Sequence, residues 1–246
     1  MDLMSLLGLL LGVTAVVGGS ILKGSGIEAL VSGAAFMIVI VGTFAAIMVQ
    51  TPAAVMKRGF AILPWLFRAP VMDAAELIRK VVDWSNVSRK QGLLGLEPLL
   101  KQEEDPFFRK GLQLLVDGNE PEAIREVLET ELANREEYDM KAAKVFEGMG
   151  VYSPTLGIIG AVMGLMSVMQ NLADPSRLGP GIAAAFVATI YGIALANLIY
   201  LPAAAKLKGI VQEQTRMRGM VVDGLVAIAQ GENPRNIESR LAGYVV

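Results

Sequence analysis

Four long stretches of the chain carry no charged residue: Leu3–Leu22, Ala29–Met56, Gly148–Ala173 and Leu178–Ala205. A helix needs about 20 mostly apolar residues to cross the hydrocarbon of a bilayer, so all four are predicted as transmembrane spans. Lipid offers the backbone no hydrogen-bond partner, which makes the helix the only open-chain solution. Between the second and third runs the pattern turns amphipathic. Asp73 to Trp84, DAAELIRKVVDW, places Ala74, Leu77, Ile78 and Val81 on one helical face. Pro106 and Asn119-Glu120-Pro121 punctuate the chain after this helix. Beyond Pro121 a long stretch sets Ile124, Val127, Leu128 and Leu132 opposite its charges and enters the third apolar run without a strong stop. The tail after Ala205 predicts two helices broken at Gly231-Glu232-Asn233-Pro234.

The expected fold is therefore an all-α integral membrane protein. It has four transmembrane helices, a large helical cytoplasmic loop domain between helices two and three, and a helical cytoplasmic tail. The expected boundaries are 1–56 for the first two spans, 57–147 for the loop domain, 148–205 for the last two spans and 206–246 for the tail. The first run opens on Met1-Asp2 without a basic region and is long for a signal core, so it is read as a retained span.

Charge gives the orientation. Met56 to Gly148 holds 14 of the 22 Lys and Arg residues and the tail after Ala205 holds six, whereas the two short turns hold Lys23 and Arg177. Positive residues stay inside, so the loop domain, the tail and both termini are expected in the cytoplasm. Gln170 and Asn171 then fall at the outer interface.

Composition narrows the chemistry. The chain is 53% hydrophobic with a mean hydropathy of +0.49, which fits a membrane protein. A net charge of −2 gives no field that would gather nucleic acid. No cysteine and no histidine are present, which removes thiol nucleophiles, thiolate or imidazole metal sites and imidazole acid–base chemistry. No GxxxxGK[ST], GxGxxG or GxSxG pattern occurs. An enzyme is disfavoured, and neither a cofactor nor a metal is expected.

The spans contain no Asp, Glu, Lys, Arg or His. An ion pathway normally needs such a group within the membrane, so a charged group would have to come from another chain. The fourth span carries Gly181, Ala185, Thr189, Gly192 and Ala196 at spacings of four, four, three and four, and the third carries Gly157, Gly160, Ala161 and Gly164. Small faces let helices approach closely. They serve either packing between the two spans or a lining that meets a partner helix, with the Thr189 hydroxyl beside that partner's acid. Pro154 and Pro202 mark either helix boundaries and kinks or flexible coupling points. Met163, Met166 and Met169 read as packing filler.

Four ordered stretches carry a resemblance that covers nearly the whole chain. They are RKQGLLGLE at Arg89–Glu97, SPTLGIIGAVMGL at Ser153–Leu165, GIAAAFVATIYGIALANLIYLPAAAKLK at Gly181–Lys208 and DGLVAIAQGENPRNIESRLAGYV at Asp223–Val245. Together they resemble the flagellar motor stator A subunit, the MotA/PomA family of the MotA/TolQ/ExbB superfamily. The resemblance implies a homo-pentamer in the bacterial inner membrane around a dimer of a single-span, peptidoglycan-binding MotB/PomB-type B subunit. The B subunit supplies an intramembrane aspartate, and ion flow past it drives torque on the rotor switch protein FliG. On this resemblance Thr155, Thr189 and Ala161 belong to the ion pathway, Pro154 and Pro202 to conformational coupling, and Arg89, Lys90 and Glu97 to the rotor interface. Sodium-type members resemble one another in a threonine where this chain has Ala161, whose methyl offers no ligand oxygen, so proton coupling is expected. The alternative is the TolQ/ExbB branch, which energises envelope transport and normally has one span before its cytoplasmic domain rather than two.

Overall fold

The computed structural model describes residues 2–170, 172 and 175–245; Asn171 and Ala173, at the end of the expected third span, lie outside them. Every regular element among the described residues is helical. We label them α1 (Leu3–Leu22), α2 (33–50), α3 (Ala53–Ile62), α4 (Ala74–Gln91), α5 (Glu97–Gln102), α6 (Pro106–Val116), α7 (Pro121–Gln170), α8 (175–229) and α9 (Pro234–Ala242). Four helices are long and apolar enough to cross a membrane, as the charge-free runs predict.

The chain packs as two units, 1–69 with 139–210 and 70–138 with 211–246. The long helices α7 and α8 contribute residues to both. These divisions follow packing rather than hydropathy.

In the first unit α1 spans Leu3–Leu22 as expected. Asp2 caps it, its carboxylate accepting from the backbone N–H of Met4 and Ser5, and the first-turn donors need such an acceptor. The second span is shorter than Ala29–Met56. Its helix ends at Gln50, because Thr51 precedes Pro52 and the proline ring pushes the preceding residue out of the helical region, here to φ −114° and ψ 127°. Residues 53–56 instead begin α3. Within α2, Phe36–Val41 forms a π-helical segment. The buried Thr43 Oγ donates to the Val39 carbonyl at 2.5 Å, filling part of the hydrogen-bond demand there.

The core of this unit gathers Ile47, Ile62, Ala142, Phe146 and Leu207. Ion pairs fix it. Arg58 on α3 holds the buried Asp139 of α7 through two hydrogen bonds, at 2.6 and 2.9 Å, and its guanidinium stacks on Trp65. Lys208 reaches Glu147 at 2.6 Å. Lys206 joins Asp2, the Ser5 hydroxyl and the Leu66 carbonyl, and this contact holds the Asp2 carboxyl below the usual carboxylate range.

The second unit is a helical domain with its own core, in which Leu77, Ile78, Val81 and Trp84 of α4 pack with Phe107, Leu112, Leu128 and Leu225. The Asp73–Trp84 stretch is helical as the periodicity predicts, and the helix continues to Gln91, where Gly92 takes φ 73°. Ile124, Leu128 and Leu132 are buried, but Val127 is 37% exposed. The buried ridge climbs in steps of four, and Val127 falls about 60° to the other side of Ile124. The tail breaks where expected, with Gly231 at φ 72° and the Asn233 side chain capping α9. Glu103 is buried against Lys80 at 2.6 Å, and Lys80 also lies over the Trp84 and Phe108 rings.

Removing one partner of a buried ion pair strands the other charge. Arg58→Ala is expected to destabilise the protein by about 3 kcal/mol, with Arg58→Lys losing less. Thermal unfolding of the detergent-solubilised protein measures this; an unchanged midpoint would refute it.

Candidate functional site: the paired spans

The third and fourth spans lie together along their small faces. An ideal Cβ on Gly192 would stand 2.6 Å from the Ser153 carbonyl oxygen and 3.1 Å from the Gly157 Cα. One on Gly157 would meet the Ala188 carbonyl oxygen at 2.9 Å. Gly160 would meet Ala188, Gly164 would meet the backbone of Ala185, and Gly181 would meet Val168, all at 3.1 Å or less. These contacts run in antiparallel order, and backbone approaches backbone from Ser153 to Gly164, over about three turns. The packing reading of the small faces therefore holds for Gly181, Ala185 and Gly192 of α8 and for Gly157, Gly160 and Gly164 of α7.

Thr189 differs from that set. It is half-buried at the edge of the seam, and its Oγ donates to the Ala185 carbonyl at 3.4 Å, a long and weak bond. Thr155 is exposed, and its Oγ donates to the Tyr152 carbonyl at 2.7 Å. The turn that bears Thr155 packs at the level of the turn that bears Thr189, since Ser153, Pro154 and Gly157 all meet Gly192. Ala161 lies half-buried one turn further along α7. All other side-chain polarity on this pair is neutral, and no group of three or more His, Cys, Asp or Glu side chains able to hold a metal exists among the described residues.

Neither proline ends a helix. Pro154 sits inside the fifty-residue α7. It has no N–H to give the Gly150 carbonyl, and the neighbouring Ser153 hydroxyl is fully buried with no partner. Pro202 is exposed, and α8 passes through it after a π-helical turn at Ala196–Tyr200, where the Leu201 N–H reaches back five residues to Ala196. The wider register absorbs the missing donor and the ring's steric demand without breaking the helix. The boundary reading of both prolines is thus excluded; they are interruptions within continuous helices.

Arg89 and Lys90 are exposed in the last turn of α4, and Glu97 is exposed at the start of α5. A glycine bend joins them, with Gly92 in the left-handed region and Gly95 so close that a Cβ would stand 2.6 Å from Gln91. Glu97 pairs with Lys101 at 3.0 Å rather than with Arg89. Arg89 and Lys90 make no ion pair among the described residues, so two cations stand free on this surface.

Two tyrosines within the spans find partners on other elements. The Tyr191 hydroxyl donates to the Leu30 carbonyl at 2.8 Å, and the Tyr152 hydroxyl to Gln50 Oε1 at 2.8 Å. Their signal was present: each is a lone polar residue in an apolar run, where an unsatisfied group is costly.

This arrangement matches known proteins along its whole length. The family described as the MotA/TolQ/ExbB proton channel family matches residues 99–220. Motility protein A of Bacillus subtilis is 34% identical over 100% of this chain and 91% of its own, and Motility protein A of Helicobacter pylori is 35% identical over 100% and 95%. The chain belongs to the MotA/TolQ/ExbB proton channel family. A chain of the C. jejuni MotAB structure superposes with a TM-score of 0.94 at 30% identity, covering 100% of this chain and 96% of that one. The protein is accordingly a multi-pass membrane protein, in agreement with its four apolar helices.

The seam leaves no room for a methyl at Gly192. Gly192→Ala is expected to part the two helices and lower thermal stability by about 1–3 kcal/mol, whereas Gly8→Ala, in open space, stays within about 0.5 kcal/mol of wild type. Equal melting of the two variants would refute the seam.

Proposed function

We propose that this chain is the A subunit of a flagellar motor stator that acts with a MotB-type B subunit as a proton channel and converts ion-motive force into torque. The observation that carries the reading is the full-length match, in sequence and fold, to Motility protein A and to MotAB. The absence of Asp, Glu, Lys, Arg and His from all four spans supports it, since a proton path then needs an acid from a partner.

In this reading a B-subunit helix carries a carboxylate to the edge of the seam beside Thr189. The weak bond from Thr189 to Ala185 is given up at little cost, and the hydroxyl donates to the ionised acid instead. Thr155, on the facing turn, adds a second hydroxyl. Ala161 adds none, which suits a proton moving through water rather than a sodium ion in need of several oxygens. Protonation of the acid removes its charge and so weakens the bond from Thr189, and the local rearrangement passes along the helices that Pro154 and the π turn before Pro202 interrupt. The exposed Arg89 and Lys90, with Glu97, then press on the rotor protein FliG. Five A subunits surround two B subunits in the bacterial inner membrane, with the loop domain and both termini in the cytoplasm. No enzymatic step is required.

The test is a pull-down from native membranes with the intact complex weighed by mass spectrometry. Five copies with two of a single-span, peptidoglycan-binding protein support the reading. A partner lacking that domain moves it to the TolQ/ExbB branch, and no partner at all ends it. Thr189→Ala should slow ion flux and swimming about tenfold or more, the loss of one hydrogen bond to an ionised group, while Thr189→Ser retains most of both. Wild-type cells that stop swimming without sodium would overturn the proton assignment. Arg89→Glu or Glu97→Lys should abolish most torque with insertion and B-subunit binding intact, and a matching reversal on the rotor should restore part of it. Loss of assembly in these variants would make the residues structural instead.

A further inference from the structure

The first span is the odd member of the membrane set. None of its residues is buried, although it is held at its cytoplasmic end by the Lys206 contact with Asp2 and Ser5. Where the other spans close on one another through glycines, α1 meets α8 loosely. A Cβ at Gly12 would lie 3.6 Å from Leu198, an ordinary van der Waals distance. A cavity opens along that contact and a second lies beyond it. The first, of about 180 Å³, runs from Leu9 to Val17; the other, of about 310 Å³, continues from Val16 to Leu30. They share Val16, Ala194 and Leu195, so they form one slot along the helix.

Three features define what fits this slot. Its length lies within the apolar spans, so the surrounding medium is hydrocarbon. The one polar atom of its lining side chains, the Tyr191 hydroxyl, is already bonded to the Leu30 carbonyl, so the walls ask for no hydrogen bond. A Cβ at Gly12 would already stand 3.6 Å from Leu198, so at that level the slot has no room for a second helix of roughly 10 Å diameter. A slim, flexible chain without polar atoms satisfies all three. Seven residues beyond Val16, about two helical turns on, Lys23 forms the C-cap of α1. It is exposed and makes no ion pair among the described residues.

We propose that the slot between α1, α2 and α8 binds one acyl chain of a bilayer phospholipid, with the phosphate of its headgroup at Lys23. The lipid fills the gap that α1 leaves and fixes that helix against the rest of the membrane unit. The inference rests on the spans and not on the stator reading, so a chain found without a B subunit still binds the lipid.

The experiment uses the full-length protein with whatever copurifies from its membranes, stripped of lipid in detergent and then offered palmitoyl-oleoyl phosphatidylglycerol. Native mass spectrometry is expected to find about one lipid held per chain. Lys23→Ala should weaken retention about fivefold. The double variant Val16→Phe with Ala194→Leu, which fills the slot, should abolish retention while leaving subunit number unchanged; if it does not assemble, Ala194→Leu alone should still lower occupancy. A wild-type complex that holds no lipid, or an assembled filled variant that holds as much as wild type, overturns the proposal. A high-resolution map of the same complex separates the occupants: an unbranched tail in the slot supports the site, and side chains of a neighbouring copy there overturn it.

Discussion

The approach of two backbones at Gly157 and Gly192 governs the membrane part of this protein. In lipid there is no hydrophobic force to press helices together, since the surroundings are as apolar as the side chains. Cohesion has to come from close contact, and a glycine on each helix allows main chain to meet main chain. Because both glycines are spent on this contact, other groups line the margin of the seam. Thr189 is such a group. It stands beside the seam with only a long, weak bond to the Ala185 carbonyl.

Outside the hydrocarbon, charge takes over the same task. Arg58 with Asp139, Lys208 with Glu147 and Lys206 with Asp2 tie the charged ends of the helices that the glycines cannot reach. Asp139 is buried, and the stacked, two-pronged arginine offsets its desolvation. The Lys206 contact with Asp2 ties the start of α1 to the middle of α8.

The prolines take their meaning from the continuity around them. A proline at a helix end interrupts nothing, whereas one inside a long helix leaves a carbonyl without its donor. The π turn at Ala196–Tyr200 shows how α8 accommodates Pro202. At Pro154 the helix α7 also runs on without a break.

The four spans, the helical loop domain and the break at Gly231 were legible in the sequence, because charge exclusion, helical periodicity and turn-forming glycine and proline act over a few neighbouring residues. The same local logic overran at Met56, where the ring of Pro52 ended a helix within a run that stayed apolar, and at Val127, where a ridge rising in steps of four left a nominally inward residue outside. Which small residues face each other, and that Thr189 stands at their edge, were not legible. Nor was the pairing of Arg58 with Asp139, 81 positions apart. Those depend on which surfaces the folded chain brings together, and a stripe of small residues is the same stripe whether it meets a neighbouring span, a partner or lipid. Local chemistry determined the elements; only the closeness of two backbones decided which atoms remained free to act.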